Sequence, residues 1–463
     1  MNKLLIFGIL ISFIITGCST KPSSNLVADV ATFVSNSDKV VSYGSVDLDA
    51  ILTKSALSEV ETIGPFVDQQ MTAIKGALNV DKKIFYALEG PLDQDGNPEF
   101  SYVFMEVKNK DSLIDLFQEM GMLFEEEGDL MTYYDMGSAI AFNDNIAVLV
   151  HAGFGTQPKE KLEYVFTKLD GKEKDERVVE VLNQSTDIMT ALHLENLYAT
   201  SNTSLDDLPK KEQKQLAAMV KGGHFSLTTD FNDGNLTMNL NTTRVSDKLK
   251  EAYFFKDKST AETIDNIGPG KPAVALVGAL DIQKMEHFVN QFAPGALKSF
   301  YSSLGLGGFF LQTMGGEGIA SLVNGDFGAM LSFEREEENK QMGQLLNLQA
   351  FVKLGEDGNE LIDLLDSFSK NDEVEKVEEG YYNYNDALIH VSHNALIYHS
   401  NDTSTATFEV GSIDKVEGMD GFGDDPLSIF VNVKQVSEGM SQNMMVPSGF
   451  DAVIPLLDYV TLR

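Results

Sequence analysis

Leu113-Ile114-Asp115-Leu116-Phe117 returns 248 positions later as Leu361-Ile362-Asp363-Leu364-Leu365. Slid onto 361–400 without a gap, residues 113–152 match at 11 of 40 positions, with Tyr133-Tyr134 on Tyr381-Tyr382 and His151 on His399. Both stretches read as a helix, an acidic turn and three short strands. Self-similarity at so long a spacing means one unit used twice. The expected fold is α+β, two similar copies of a mainly antiparallel sheet with packed helices, over residues 34–255 and 256–463.

Outward from that stretch, the patterns are those of strands and hairpins broken by helices. Residues 39–48 alternate as a strand, and Asp49 is expected to open the next helix. Phe66, Val67, Met71, Ile74 and Leu78 share one helical face. Residues 83–88 and 100–107 alternate on either side of Asp93-Gln94-Asp95-Gly96-Asn97, a hairpin. A strand at 188–194, an amphipathic helix at 205–221 and a hairpin at 225–241 close the first copy. The second begins near Asp265, with Asp281-Ile282 standing where Asp47-Leu48 stood. Its glycine-rich apolar stretch 305–325 reads as a closely packed buried helix. It ends early, with 459–463 matching only the first strand of the closing hairpin.

The chain begins as an export signal. Met1-Asn2-Lys3 precedes an apolar run from Leu4 to Ile15, too short for the roughly 20 residues of a membrane span. Ile15-Thr16-Gly17-Cys18 has the form of a bacterial lipobox, in which the cysteine thiol takes a diacylglyceryl group and becomes the new N-terminus. Cys18 is the only cysteine among 463 residues and stands at the expected cleavage point. Residues 1–17 are therefore expected to be removed, Cys18 to be lipidated, with acyl chains of the palmitate class, and 18–33 to form a flexible tether. Each buried methylene contributes about 0.8 kcal/mol, so several chains hold the protein stably to a membrane.

With Cys18 acylated, no disulfide is available and the fold stands on its core. Hydrophobic residues make up 43 % of the chain, enough for a globular body. Charge is the outlier: 70 Asp and Glu against 35 Lys and Arg give a net charge of -35. Such a field repels nucleic acid, which is excluded as a partner. The acidity reads as a solvated surface.

No catalytic constellation emerges. The sequence has no nucleophile elbow, zinc-protease helix, phosphate loop or dinucleotide fingerprint. Ser367-Phe368-Ser369-Lys370 fits Ser-x-x-Lys without the companion elements. Asp93, Asp95, Asn97 and Glu99 alternate like the start of a calcium loop, but Gly96 is fourth where the loop needs a glycine at six. His390, His393 and His399 cluster in sequence, yet strand geometry sends His390 and His393 to opposite faces and puts His399 about 20 Å beyond. No catalytic or metal-ligating residue and no cofactor is expected, and ligand-binding residues stay unassigned.

The lipobox, the strand-Asp-Leu-helix opening at Val41 to Leu52 and the second copy of the body together resemble a lipoprotein family of the Bacteroidetes catalogued as a domain of unknown function. The resemblance spans most of the mature chain and brings no catalytic residues. Some lipoproteins of that group carry an acidic export cluster after the cysteine, which Ser19-Thr20-Lys21 lacks, so a periplasm-facing position is expected. The expected function is a non-enzymatic, membrane-anchored envelope lipoprotein, on the outer membrane, that binds or scaffolds envelope proteins. A carrier of an apolar ligand and a hydrolase with an unfamiliar site are the alternatives.

Overall fold

The computed structural model describes residues 25–55, 64–93, 96–135, 137–153, 158–169, 174–200, 209–232, 235–243, 246–292, 322–334, 345–356, 358–370, 374–384, 387–400, 410–414, 416–440 and 458–462. These residues form thirteen helices and nineteen strands, a mixed α+β fold on a large, mainly antiparallel sheet. The chain divides into two units, the first to Asp233 with Asn239–Ser246, the second Gly234–Met238 with Asp247–Arg463. The expected signal at 1–17, Cys18, the loop positions Asp95 and 233–234, most of 305–325 and the turn after Glu334 lie outside the described residues.

The first unit opens with a correction. Residues 26–33, expected as tether, belong to helix α1 (Leu26–Ser35), capped by the Asn25 side chain. Leu26, Val30 and Phe33 recur at helical spacing and are all buried, so burial outweighs the polar start of the segment. β1 (Val40–Val46) follows, then α2 (Leu48–Lys54). Its cap is Asp47, not the expected Asp49: the Asp47 carboxylate accepts the Ala50 N–H at 3.0 Å. α3 (Gly64–Ile74) precedes the hairpin β2 (Ile84–Leu92) and β3 (Pro98–Glu106). In its loop Asp93 accepts the Asn97 N–H at 2.7 Å and the Asn97 amide at 2.9 Å, and Gly96 takes a positive φ of 78°, which is turn chemistry.

α4 (Lys110–Glu119) carries the Leu-Ile-Asp-Leu stretch. The meander β4 (Glu125–Glu127), β5 (Leu130–Tyr134), β6 (Ser138–Phe142) and β7 (Ile146–Ala152) follows. Next come α5 (Pro158–Leu169), α6 (Glu176–Leu182), β8 (Ile188–His193), α7 (Leu194–Thr200), α8 (Lys210–Val220), β9 (His224–Asn232) and β10 (Asn235–Thr243). The strands lie in the order β4-β5-β6-β7-β3-β2-β1-β8-β9-β10. Alternation sends side chains to two cores. On one face Tyr43, Tyr102, Phe104, Val148, Val150 and Ala191 pack under α1, α5 and α6. On the other, Val103, Met105, Ile140 and Phe142 pack under Leu113 and Phe117 of α4.

The second unit runs through α9 (Asp247–Ala252), α10 (Ala261–Asp265), β11 (Val274–Ala279), α11 (Ile282–Phe292), β12 (Val323–Glu334), β13 (Leu345–Leu354) and α12 (Asn359–Ser369). It continues with β14 (Glu375–Glu378), β15 (Tyr381–Tyr384), β16 (Ala387–Val391), β17 (Ala395–Ser400), β18 (Leu427–Asn432), α13 (Val433–Met440) and β19 (Tyr459–Leu462). Its strand order is β14-β15-β16-β17-β13-β12-β11-β18-β19, and β19 pairs in parallel with Asn235–Met238. Ala275, Val277, Phe351, Ile397 and Phe430 form one core; Tyr382, Val391 and Leu365 of α12 form the other.

Facing in the two meanders differs from the ungapped match by one residue. The strand residues under α4 include Tyr133, Ile140 and Phe142, and those under α12 include Tyr382, Ile389 and Val391. A one-residue slip inverts every facing in a strand. Tyr134 therefore packs on the opposite core from Tyr133, and Tyr381 turns away from α12 to stack on His390. The expected equivalence of His151 and His399 fails for the same reason. His151 is exposed at the strand end, 3.2 Å from the Ser138 hydroxyl, whereas His399 is buried opposite Gln349.

Candidate functional site

The three histidines grouped in sequence go to separate places. His390 stacks on Tyr381 at 4.2 Å between ring centroids, His393 is exposed with Nδ1 3.3 Å from the Asn359 side-chain oxygen, and His399 is buried in β17. Among the described residues no three Asp, Glu, His or Cys side chains gather as a metal would require.

Two carboxylates are locked by a lysine and a tyrosine. Glu89 in β2, 1 % exposed, accepts hydrogen bonds from Lys161 Nζ of α5 and the Tyr102 hydroxyl of β3. Lys161 Nζ also lies 4.6 Å above the Phe100 ring. Burial, and then the Glu89 charge, push the Tyr102 hydroxyl well above its ordinary pKa. In the second unit Asp366 of α12 accepts from the Tyr382 hydroxyl at 2.6 Å and from Lys376 Nζ at 2.6 and 2.8 Å. The Lys376 hydrogen bond, then that of Tyr382, hold the Asp366 carboxyl below its usual range. Both carboxylates already have cationic partners, so these triads hold elements together and offer no free acid or base. Ser367 and Lys370, from the Ser-x-x-Lys match, lie at the C-terminal end of α12, where Lys370 is exposed.

A buried carboxyl of the kind a hydrolase would use lies on α11. Glu286 is 4 % exposed, its Oε1 has no hydrogen-bond partner among the described residues, and burial raises its pKa. Aromatic rings collect on the same helix and the chain before β11: Phe254 lies 5.2 Å from Phe255 and 5.8 Å from Phe288, which lies 5.1 Å from Phe292. These rings are only half-buried.

A third cluster went unread in the sequence. His193 ends β8 and His224 begins β9, and antiparallel register makes them cross-strand partners with ring centroids 4.5 Å apart. The Tyr43 hydroxyl lies 3.2 Å from His224 Nδ1, and His193 Nδ1 accepts the Asn196 N–H at 3.3 Å. Burial is the first cause that lowers the His193 pKa. Two helices separate these histidines along the chain, so no local spacing points to the pair; its only signal is their position at the end and start of neighbouring strands.

The outermost strand of each described sheet is acidic and short. Glu125, Glu126 and Glu127 of β4 are all exposed, as are Glu375, Lys376, Val377 and Glu378 of β14. β4 pairs with β5 alone and β14 with β15 alone among the described residues. Leu123, just before β4, is 78 % exposed.

No family model matches the chain, and no curated protein matches it. Among solved structures it is similar to TP0453. Crystal form IV has a TM-score of 0.28 at 8 % identity, covering 45 % of this chain and 76 % of that one. Crystal form III has a TM-score of 0.25 at 9 % identity, covering 82 % and 94 %. At these TM-scores nothing carries over to this chain.

Proposed function

We propose that this chain is a non-enzymatic lipoprotein of the cell envelope, held by an acylated Cys18 on the periplasmic side of the outer membrane, that binds protein partners through the open edges of two duplicated sheets. The observation that carries this reading is the pair of edges, β4 and β14, each with a partner strand on one side only among the described residues. An open edge offers unmet backbone N–H and C=O groups to an incoming extended segment. The glutamates along both edges select a segment bearing Lys or Arg.

Support for the duplication is the shared strand order, in which β4-β5-β6-β7-β3-β2-β1-β8-β9 and β14-β15-β16-β17-β13-β12-β11-β18-β19 follow one another identically. The helix bearing Leu113 and that bearing Leu361 cover the same place on each sheet. The Bacteroidetes lipoprotein family, with its lipobox and repeated body, remains the proposed kinship. A carrier of an apolar ligand is the second reading, favoured by the half-buried rings of Phe254, Phe255, Phe288 and Phe292.

Crosslinking in the native envelope followed by mass spectrometry separates the two. Protein crosslinks from Lys159, paired with Glu127, and from Lys376, within β14, are expected, and are lost when Glu125, Glu126 and Glu127, and Glu375 and Glu378, are changed to Lys. Recovery of lipid adducts near Phe288 with no protein neighbours at the edges sinks the partner reading in favour of the carrier.

A further inference from the structure

We propose that His193 and His224 form an acid-sensitive latch that holds helices α7 (Leu194–Thr200) and α8 (Lys210–Val220) to the first unit's sheet and lets them go on acidification. The geometry is that of a joint. α7 starts at the residue after His193, and its first turn is tied back by the Asn196 N–H to His193 Nδ1 at 3.3 Å. Asn196 then fastens the helix to the sheet, its side-chain amide donating to the Val40 carbonyl at 2.8 Å and the Ser37 carbonyl at 3.4 Å. α8 hangs from α7: the Tyr198 hydroxyl donates to the Gln213 carbonyl at 2.8 Å, and the Glu195 carboxylate accepts the Gly222 N–H at 3.0 Å.

Nδ1 of His193 accepts only while it carries no proton. Protonation sets N–H against N–H at the first turn of α7 and puts a cation 4.5 Å, ring to ring, from a second histidine. His224 is itself 7 % exposed, with the Tyr43 hydroxyl 3.2 Å from its Nδ1, so the second ring is held in place beside His193. The charged groups around His193 are Asp175 and Arg177 at the start of α6 and Glu195 on α7. Asp175 and Glu195 favour the proton and Arg177 opposes it, while burial, the first-named cause, favours the neutral ring. Asp175 is engaged by Arg177 at 2.5 Å and Glu195 by Gly222, which blunts both acids. The neutral ring therefore closes the latch, and acid opens it.

Hydrogen exchange read by mass spectrometry on the full acylated chain in detergent micelles tests this at about pH 7.5 and about pH 5.5, either side of the ordinary histidine pKa. Labelling times are scaled for the pH dependence of intrinsic exchange. Peptides covering 194–200 and 209–220 are expected to lose protection by about tenfold at the lower pH, while 84–106 keeps its own. His193→Asn places an uncharged acceptor where Nδ1 stood and should keep protection at both pH values. Equal protection of the wild type at both pH values, equal loss in 84–106, or acid loosening that persists in His193→Asn each overturns the proposal. Should His193→Asn unfold, NMR of the wild type decides: the His193 ring must titrate in step with the Asn196 amide, and a ring that titrates while that amide stays still overturns it.

Discussion

Tyr133 and Tyr382, 249 residues apart, each turn one ring to the helix that precedes its own meander, but only Tyr382 anchors its hydroxyl to that helix, on Asp366 at 2.6 Å. Tyr382→Phe should therefore cost about 1.5–3 kcal/mol, the range for a hydrogen bond to a charged group. Tyr133→Phe keeps the packed ring and removes a hydroxyl that is not tied to the helix, so it should change stability by less than about 0.5 kcal/mol. Urea unfolding of the two variants compares them directly; an equal loss in both would show that Asp366 contributes nothing through Tyr382.

Leu113 is fully buried between α4 and the sheet, so Leu113→Ala is expected to destabilise the first unit by about 2–5 kcal/mol. Leu123→Ala, only ten residues further along but 78 % exposed, should leave the unfolding midpoint unchanged. Thermal unfolding followed by circular dichroism separates the two.

Glu89→Gln removes the counter-charge of Lys161, whose side chain keeps 25 % of its exposure, and is expected to cost about 3 kcal/mol. The pair Glu89→Gln with Lys161→Met should recover most of that, because no charge is then left buried. A double-mutant cycle gives the coupling; strictly additive losses would mean that the two side chains do not act as an ion pair.

Glu286 behaves in the opposite sense to a paired acid. Burial raises its folded pKa, so the fold favours the neutral carboxyl, and the group supports stability at low pH and loses that support as pH rises above its ordinary value near 4.5. Glu286→Gln should accordingly stabilise the protein at pH near neutrality and do little near pH 3. Denaturant midpoints at the two pH values check the sign; a variant less stable at neutral pH would mean that the carboxylate is used there as an anion.

Cys18→Ser should stop acylation and leave the body as an uncleaved precursor or a soluble species. Fractionation with immunodetection reads the outcome, and a processed Cys18→Ser chain still found with membranes would put the anchor elsewhere.

Helix and strand positions around Leu113 and Leu361 were legible in the sequence because their side chains obey short periods that burial enforces: Leu113 and Phe117 lie on one helical face, and Tyr102 and Phe104 on one strand face. Counting identities cannot register a single inserted residue, so Tyr134 and Tyr382 match in letters while lying on opposite sides of their sheets. α7 escaped because β8 passes into it with no intervening turn residue. The locked Glu89 was illegible for another reason: Lys161 stands 72 positions away, and only the assembled β2 and α5 bring the charges together. The start of α1 misled because Lys21-Pro22-Ser23-Ser24 reads as spacer, and the apolar stripe that follows is only ten residues long.

The glutamates of β4 and β14 also govern what identical molecules do when crowded together. Two like strands extending one another would bring glutamates to about 4.8 Å, a spacing at which their repulsion works against the hydrogen bonds gained. Each copy thus refuses its twin at the very rim where it is chemically most ready to be extended, and a dense population should stay dispersed instead of growing into fibres.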